Sequence, residues 1–265
     1  MRVLRHEEFD AGCEATCNGP YDNKWSKTMI GFDHEDTQFV CELTYNYGVL
    51  TPYQLGNDLR GLHVQSASAY QAVKDKKWPI EKETGDVFQI KDPDGYTFFI
   101  RDGAEGSISC VSIAVSSLKQ SLDYWRNTLA MSVYSQTKDR AVLGYAADQC
   151  KLELIPISEP VIHDTGIGRI AFSCPWHDQQ VIRDRVKVAG GAIIHDLIEL
   201  HTPGKATARV LILNDPDGYE ICFVGDEGYR DLSQFDEKGD ELLAEAMAGD
   251  KSKEWCAKHK KKSDN

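Results

Sequence analysis

The chain has 265 residues, 41% of them hydrophobic and 27% charged, enough for two modest domains that each bury a core. Its 42 acidic and 30 basic residues give a formal charge of -12, which opposes a phosphate backbone and excludes nucleic acid as a general partner; the one basic run is Lys258–Lys262. No apolar stretch reaches bilayer-spanning length, so no membrane is expected, and the eight scattered cysteines, without a Cys-x-x-Cys pair or secretory leader, read as reduced thiols of a cytoplasmic protein.

Along the chain, strands are expected near Val3, Thr28 and Val40. Cys13 and Cys17 lie close together, but no second Cys/His pair follows at finger-like spacing, so free thiols are expected there rather than zinc or a disulfide. Gly61 to Ser66 begins another unit, which ends in the turn Asp92-Pro93-Asp94-Gly95-Tyr96 and runs into Thr97-Phe98-Phe99-Ile100. Proline presets φ, glycine supplies the left-handed position, and the turn feeds a strand. The same pentapeptide recurs at Asp215 to Tyr219, ahead of Glu220-Ile221-Cys222-Phe223-Val224, and two copies with matching upstream segments indicate a duplicated unit.

The best-defined copy starts at Ser107. Cys110 to Val115 alternates as a strand, Ser117 caps a helix whose Leu118, Leu122, Trp125 and Leu129 share one face, and strands follow around 132–135, 141–145 and 150–155, giving βαβββ. The next copy repeats the order, with a strand at Arg169–Ser173, a helix at Trp176–Val188 closed by Gly190-Gly191, and strands near Ile193, 209–213 and 220–224. Matching Met1–Leu4 to Met131–Tyr134 leaves the first copy without counterparts of 107–130, one strand and one helix, which suggests an alternative start or an incomplete gene reading. The expected organisation is a first domain over 1–102, a second over 107–226, and a charged, partly helical, solvated tail over 227–265.

Paired βαβββ units ending in Asp-Pro-Asp-Gly, together with Glu42-Leu43-Thr44-Tyr45-Asn46-Tyr47-Gly48, resemble the vicinal oxygen chelate superfamily and glyoxalase I within it. The resemblance implies an α+β fold of tandem modules paired into two glyoxalase-like domains, each pair curling into a cleft with helices outside. It implies four inward ligands, typically His or Gln, Glu, His and Glu, holding a divalent ion such as zinc or nickel on the vicinal oxygens of a glutathione hemithioacetal. A Lewis acid stabilises the ene-diolate and a carboxylate moves a proton between adjacent carbons. The implied activity is that of a lactoylglutathione lyase in methylglyoxal detoxification, with a glutathione adduct as small-molecule ligand, a homodimer as the assembly and a mitochondrial association.

Strand alternation turns Leu152 and Leu154 to one face and Glu153 to the other, and opposes Ile170 and Phe172 to Arg169, Ala171 and Ser173. Cys110, Ser112 and Ala114 should then face the cleft from the first strand, and Glu220, Cys222 and Val224 from the last. The positions matching the family ligands become Cys110, Glu153, Arg169 and Cys222, with Glu220 as a substitute carboxylate and a Glu153–Arg169 ion pair the expected contact. In the first domain Glu42 matches the family Glu, and two other ligand positions hold Leu62 and Phe99; a register one residue later would turn His63 inward instead. Glu42 and Glu153 are the candidate metal ligands and proton carriers. The alternative reading is a metal-free, non-catalytic glyoxalase-fold binding or regulatory protein. His163, His177, His195 and His201 read as surface histidines, and the paired aspartates of each Asp-Pro-Asp-Gly as turn caps. Gly204-Lys205-Ala206-Thr207 lacks the upstream glycine of a phosphate loop.

Overall fold

A computed structural model describes residues 1–49, 51, 53–103, 106–166, 168–201 and 206–263, with backbone only from 258 onward. Among the described residues, fifteen strands and six helices follow the expected duplicated plan. Unit one contributes β1 (Arg2–Phe9), β2 (Trp25–Gly31) and β3 (Cys41–Asn46). Unit two runs β4 (Leu59–Gln65), α1 (Ala67–Asp75), β5 (Ile80–Thr84), β6 (Val87–Lys91) and β7 (Thr97–Arg101). Unit three runs β8 (Ser107–Val115), α2 (Leu118–Leu122), β9 (Ser132–Gln136), β10 (Ala141–Gly144) and β11 (Lys151–Pro156), with α2 continuing into a π-helical turn at Asp123–Thr128. Unit four runs β12 (Arg169–Cys174), α3 (Trp176–Val188), β13 (Ala192–His201), β14 (Thr207–Asn214) and β15 (Glu220–Gly225). After these come α4 (Asp226–Leu232), α5 (Gly239–Gly249) and α6 (Ser252–Ser263). Among the described residues no helix is long and apolar enough to cross a membrane. Gly204 and Lys205 of the Gly204–Thr207 stretch lie outside the described residues.

Local chemistry accounts for the element ends. Ser66 Oγ caps α1 at Ala69 N and Ser117 Oγ caps α2 at Gln120 N, each satisfying an otherwise orphan helix donor. In both Asp-Pro-Asp-Gly turns the first aspartate accepts from the two backbone amides at i+2 and i+4, and Gly95 and Gly218 take φ of +100° and +90°. The first aspartate of each pair is therefore a turn cap, whereas the Asp217 carboxylate accepts from Ser116 N and Ser121 Oγ of unit three.

The sheets do not join as chain order suggests. In units two, three and four the first strand lies parallel to the last, but β4 of unit two also pairs antiparallel with β8 of unit three, giving one eight-stranded sheet in the order β5-β6-β7-β4-β8-β11-β10-β9. Units one and four form separate sheets, β1-β2-β3 and β12-β15-β14-β13. Expected partners one with two and three with four are thus replaced by a join of two to three, and the sheet runs across the boundary at 102–107. The main core lies between the helix-bearing faces of units three and four, where Trp125, Leu129, Val186, Leu211, Leu213, Ile221 and Phe223 pack together. Burying side chains of this size contributes about 1.5–3 kcal/mol each.

The tail is not a solvated appendage. Helix α5 packs on β1, with Asp236 N donating to Leu4 O and Leu242 and Ala246 lining a cavity with His6 and Tyr47. The 157–168 linker is also anchored. His163 Nδ1 lies 2.8 Å from the Asp58 carboxylate, and its Nε2 lies 2.9 Å from the Asp217 carbonyl. Contrary to its reading as a surface residue, His163 ties the linker to Asp58, just ahead of β4, and to the second Asp-Pro-Asp-Gly turn. Burial opposes its charge, but the hydrogen bonds to Asp217 and Asp58 outweigh burial and raise its pKa above the ordinary imidazole value. A raised folded-state pKa gives stability that is complete below the unfolded value of about 6.5 and is lost as pH rises through the folded value. The melting temperature should accordingly fall more between pH 6 and pH 8 in the native chain than in His163→Gln, as followed by calorimetry; parallel profiles would refute the latch.

Candidate active site

Where β4 and β8 meet, four polar side chains converge. His63 sits opposite Cys110 in the antiparallel register, and Ser112 sits beside Glu153 in the parallel β8–β11 pair. Ser112 Oγ donates to Glu153 Oε2 at 2.5 Å and lies 2.7 Å from His63 Nε2. Because that hydroxyl proton goes to the carboxylate, the network assigns the proton on the imidazole to Nε2. Glu153 Oε1 accepts from Arg140 Nη1 at 2.9 Å, and the His63 ring stacks on Phe99 with centroids 4.5 Å apart. Ser112 is fully enclosed and Glu153 is 6% exposed, whereas the Arg140 side chain is 57% exposed at the rim.

His63 enters the cleft because β4 is irregular. Its register against β8 shifts between Leu59 and Gly61 and again between His63 and Val64. Gly61 takes φ of +148°, and a Cβ there would stand 2.6 Å from the Phe99 ring, so only glycine permits this approach. Leu62, expected in the pocket, consequently turns to the helix side and packs against both neighbouring cores. The one-residue-later register is the observed one.

The donor atoms of His63, Cys110 and Glu153 lie within 4.8 Å of one another. Burial lowers the His63 pKa and so favours the neutral imidazole, whose lone pair in this network is on Nδ1; Nε2 could ligate a cation only after a tautomer change that takes away the proton it gives to Ser112. Burial and then the neighbouring Glu153 push the Cys110 thiol up to about 12, so it holds its proton unless a cation replaces it. One nitrogen, one sulfur and one carboxylate at this spacing fit a three-ligand zinc site with a fourth position left for water or substrate. Phe99, at the remaining family ligand position, cannot ligate.

The other expected residues lie elsewhere. Arg169 does not meet Glu153; the two stand in different sheets, and the expected pair is replaced by Glu153–Arg140 and Arg169–Glu220. Arg169 Nε donates to Glu220 Oε2 at 2.8 Å, and Cys222 lies on the same face of unit four, within electrostatic reach of Glu42 on β3. The expected quartet thus separates into Cys110 and Glu153 in one cleft and Arg169 and Cys222 in another, with Glu42 on the second side. Sequence reasoning missed Arg140, whose Thr-Lys-Asp-Arg hairpin carries no local mark of function. It also placed Ser112 inward by parity without assigning it a partner. Cys13 and Cys17, expected as free thiols, are bonded to each other with Cα atoms 5.4 Å apart.

The fold and this polar cluster define a vicinal oxygen chelate protein of the glyoxalase kind. Residues 117–232 match the family described as glyoxalase domain-containing protein 4-like, C-terminal domain. The rat protein named glyoxalase domain-containing protein 4 is 51% identical over 98% of this chain and 89% of its own length. Glyoxalase 1 of Caenorhabditis elegans is 44% identical over 96% of this chain and 90% of its own. The crystal structure of glyoxalase I from Zea mays superposes with a TM-score of 0.70 at 22% identity, covering 86% of this chain and 85% of that one, a likeness of fold. The chain belongs to the glyoxalase domain-containing protein 4 family.

Removing the central hydroxyl tests the network directly. Ser112→Ala leaves the buried Glu153 carboxylate and the His63 Nε2–H without their shared partner, which costs about 1–3 kcal/mol. Urea unfolding should show this loss with an unchanged m-value; a neutral substitution would mean the three groups do not form one network.

Proposed function

We propose that the chain is a glyoxalase I-type lyase whose working site is the cleft between units two and three, acting on the glutathione hemithioacetal of methylglyoxal. The observation that supports this reading is the convergence of His63, Cys110 and Glu153 donor atoms within 4.8 Å on the concave face of one continuous sheet. These three residues would hold a divalent ion such as zinc or nickel, which supplies a Lewis acid for two neighbouring oxygens. Glu153 carries the proton between adjacent carbons; its oxygens are held by Ser112 and Arg140, which fix the direction the carboxylate faces. Phe99 stacks on the His63 ring and supplies the apolar surface beside it. Glu42, the other candidate proton carrier, is exposed on β3 and feels Cys222 only electrostatically, so it belongs to a separate reading of the unit-four face.

A second reading has its own support. Both Glu153 oxygens are already satisfied by protein donors, one of them the Arg140 guanidinium, and Phe99 removes the fourth ligand. On that reading the chain is a metal-free binding protein that retains the cleft. Purified protein titrated with zinc or nickel, then assayed for S-lactoylglutathione formation from methylglyoxal and glutathione, separates the two. The lyase reading expects one ion per chain and a rate that falls at least about 10²-fold in Glu153→Gln. Activity unchanged in that variant, or no metal uptake with glutathione adduct binding retained, would refute the lyase and support the binding protein.

A further inference from the structure

The cleft of unit four is filled by the chain itself. The segment between β1 and β2, residues 10–24, folds over the concave face of β12-β15-β14-β13, and Ala15, 1% exposed, packs with Val210, Ile212, Cys222 and Val224. Arg169 Nη2 donates to Ala15 O at 3.0 Å and to Thr16 Oγ1 at 3.4 Å, so the charged group at a matched ligand position is spent on the loop. The loop is a built object. Asn18, 3% exposed, accepts from Cys13 N and donates to Tyr21 O and to the equally buried Asn46, and Thr16 sits at φ +54°, a conformation costly for a β-branched residue. The bond between Cys13 and Cys17 closes the turn that carries Ala15 and Thr16. Both cysteines are only half-buried, at the edge of that apolar cluster.

We infer that Cys13 and Cys17 are a reversible redox pair whose disulfide holds residues 10–24 as a plug in the second cleft, and that reduction by a dithiol releases the plug and opens the Arg169, Glu220 and Cys222 face. The reductant's thiolate attacks one sulfur of the pair, the Cys13–Cys17 bond breaks, and a mixed disulfide forms. The reductant's second thiol then displaces it, leaving two protein thiols and one disulfide in the reductant, two electrons and two protons transferred. Closing so short a loop restricts the open ensemble by a factor on the order of tenfold or more, which is the population the reduction restores. This device is independent of the first cleft and of any ion there.

The test reads Cys222 as a reporter. Full-length protein, isolated without reductant, is compared with the same protein after dithiothreitol treatment and removal, and with the double variant Cys13→Ser/Cys17→Ser. Alkylation by N-ethylmaleimide is mapped by mass spectrometry, with the half-buried Cys150 of unit three as internal reference. Cys222 is expected to label on the order of tenfold faster, relative to Cys150, in the reduced protein and in the double variant. Ala15→Glu, which cannot seat in the apolar face, should expose Cys222 even in oxidised protein; should that variant fail to fold, the reduced native protein still decides. Equal Cys222 labelling in oxidised and reduced protein, a parallel rise at Cys150, or Cys13 and Cys17 found alkylated before reduction would each overturn the proposal.

Discussion

One edge pairing organises the molecule: β4 of unit two against β8 of unit three. Ladder hydrogen bonds along Leu59–Gln65 and Ser107–Val115 fuse two repeats into a single sheet, and side chains that chain order would assign to different clefts become neighbours. His63 and Cys110 meet only because these strands run antiparallel in this register. The parallel β8–β11 pair then brings Glu153 alongside Ser112. A slip of one residue in β4 would exchange His63 for Leu62 and leave Glu153 facing hydrocarbon.

The two concave faces have diverged in chemistry. The first gathers an imidazole, a hydroxyl and a carboxylate into one hydrogen-bonded network beside the Cys110 thiol, with a rim arginine as counter-ion. Buried polar groups of this kind are tolerated when they are partnered, as Ser112 and both Glu153 oxygens are here. The second puts an arginine at a matched ligand position, pairs it with Glu220, and closes the apolar floor with a loop from unit one. Duplication supplied two scaffolds, and side chains gave them different work.

Unit one is packed by elements from the far end of the chain. Among the described residues it has three strands and no helix of its own, and α5 from beyond unit four lies on β1. Helix α4 and the chain after it reach the same unit through Tyr229 to Glu35 and Ser233 to Asp36. Exposed charge along the tail marks its outer surface, while Leu242 and Ala246 face the sheet.

The sequence by itself determined the repeat, the order of strands and helices within it, and, in units three and four, which face the strand side chains take. Asp-Pro-Asp-Gly turns, serine caps and two-residue alternation are local chemistry, and they placed α3 at Trp176–Val188 and turned Glu153, Cys110 and Cys222 inward correctly. Only the tertiary structure decided which units share a sheet, because edge pairing joins strands distant in sequence and leaves no local mark. That decision separated Arg169 from Glu153, chose His63 over Leu62 through a bulge at Gly61, and recruited Arg140 and Ser112. It also carried Ala15 into the second cleft, where an apolar face, and no motif, was waiting to be covered.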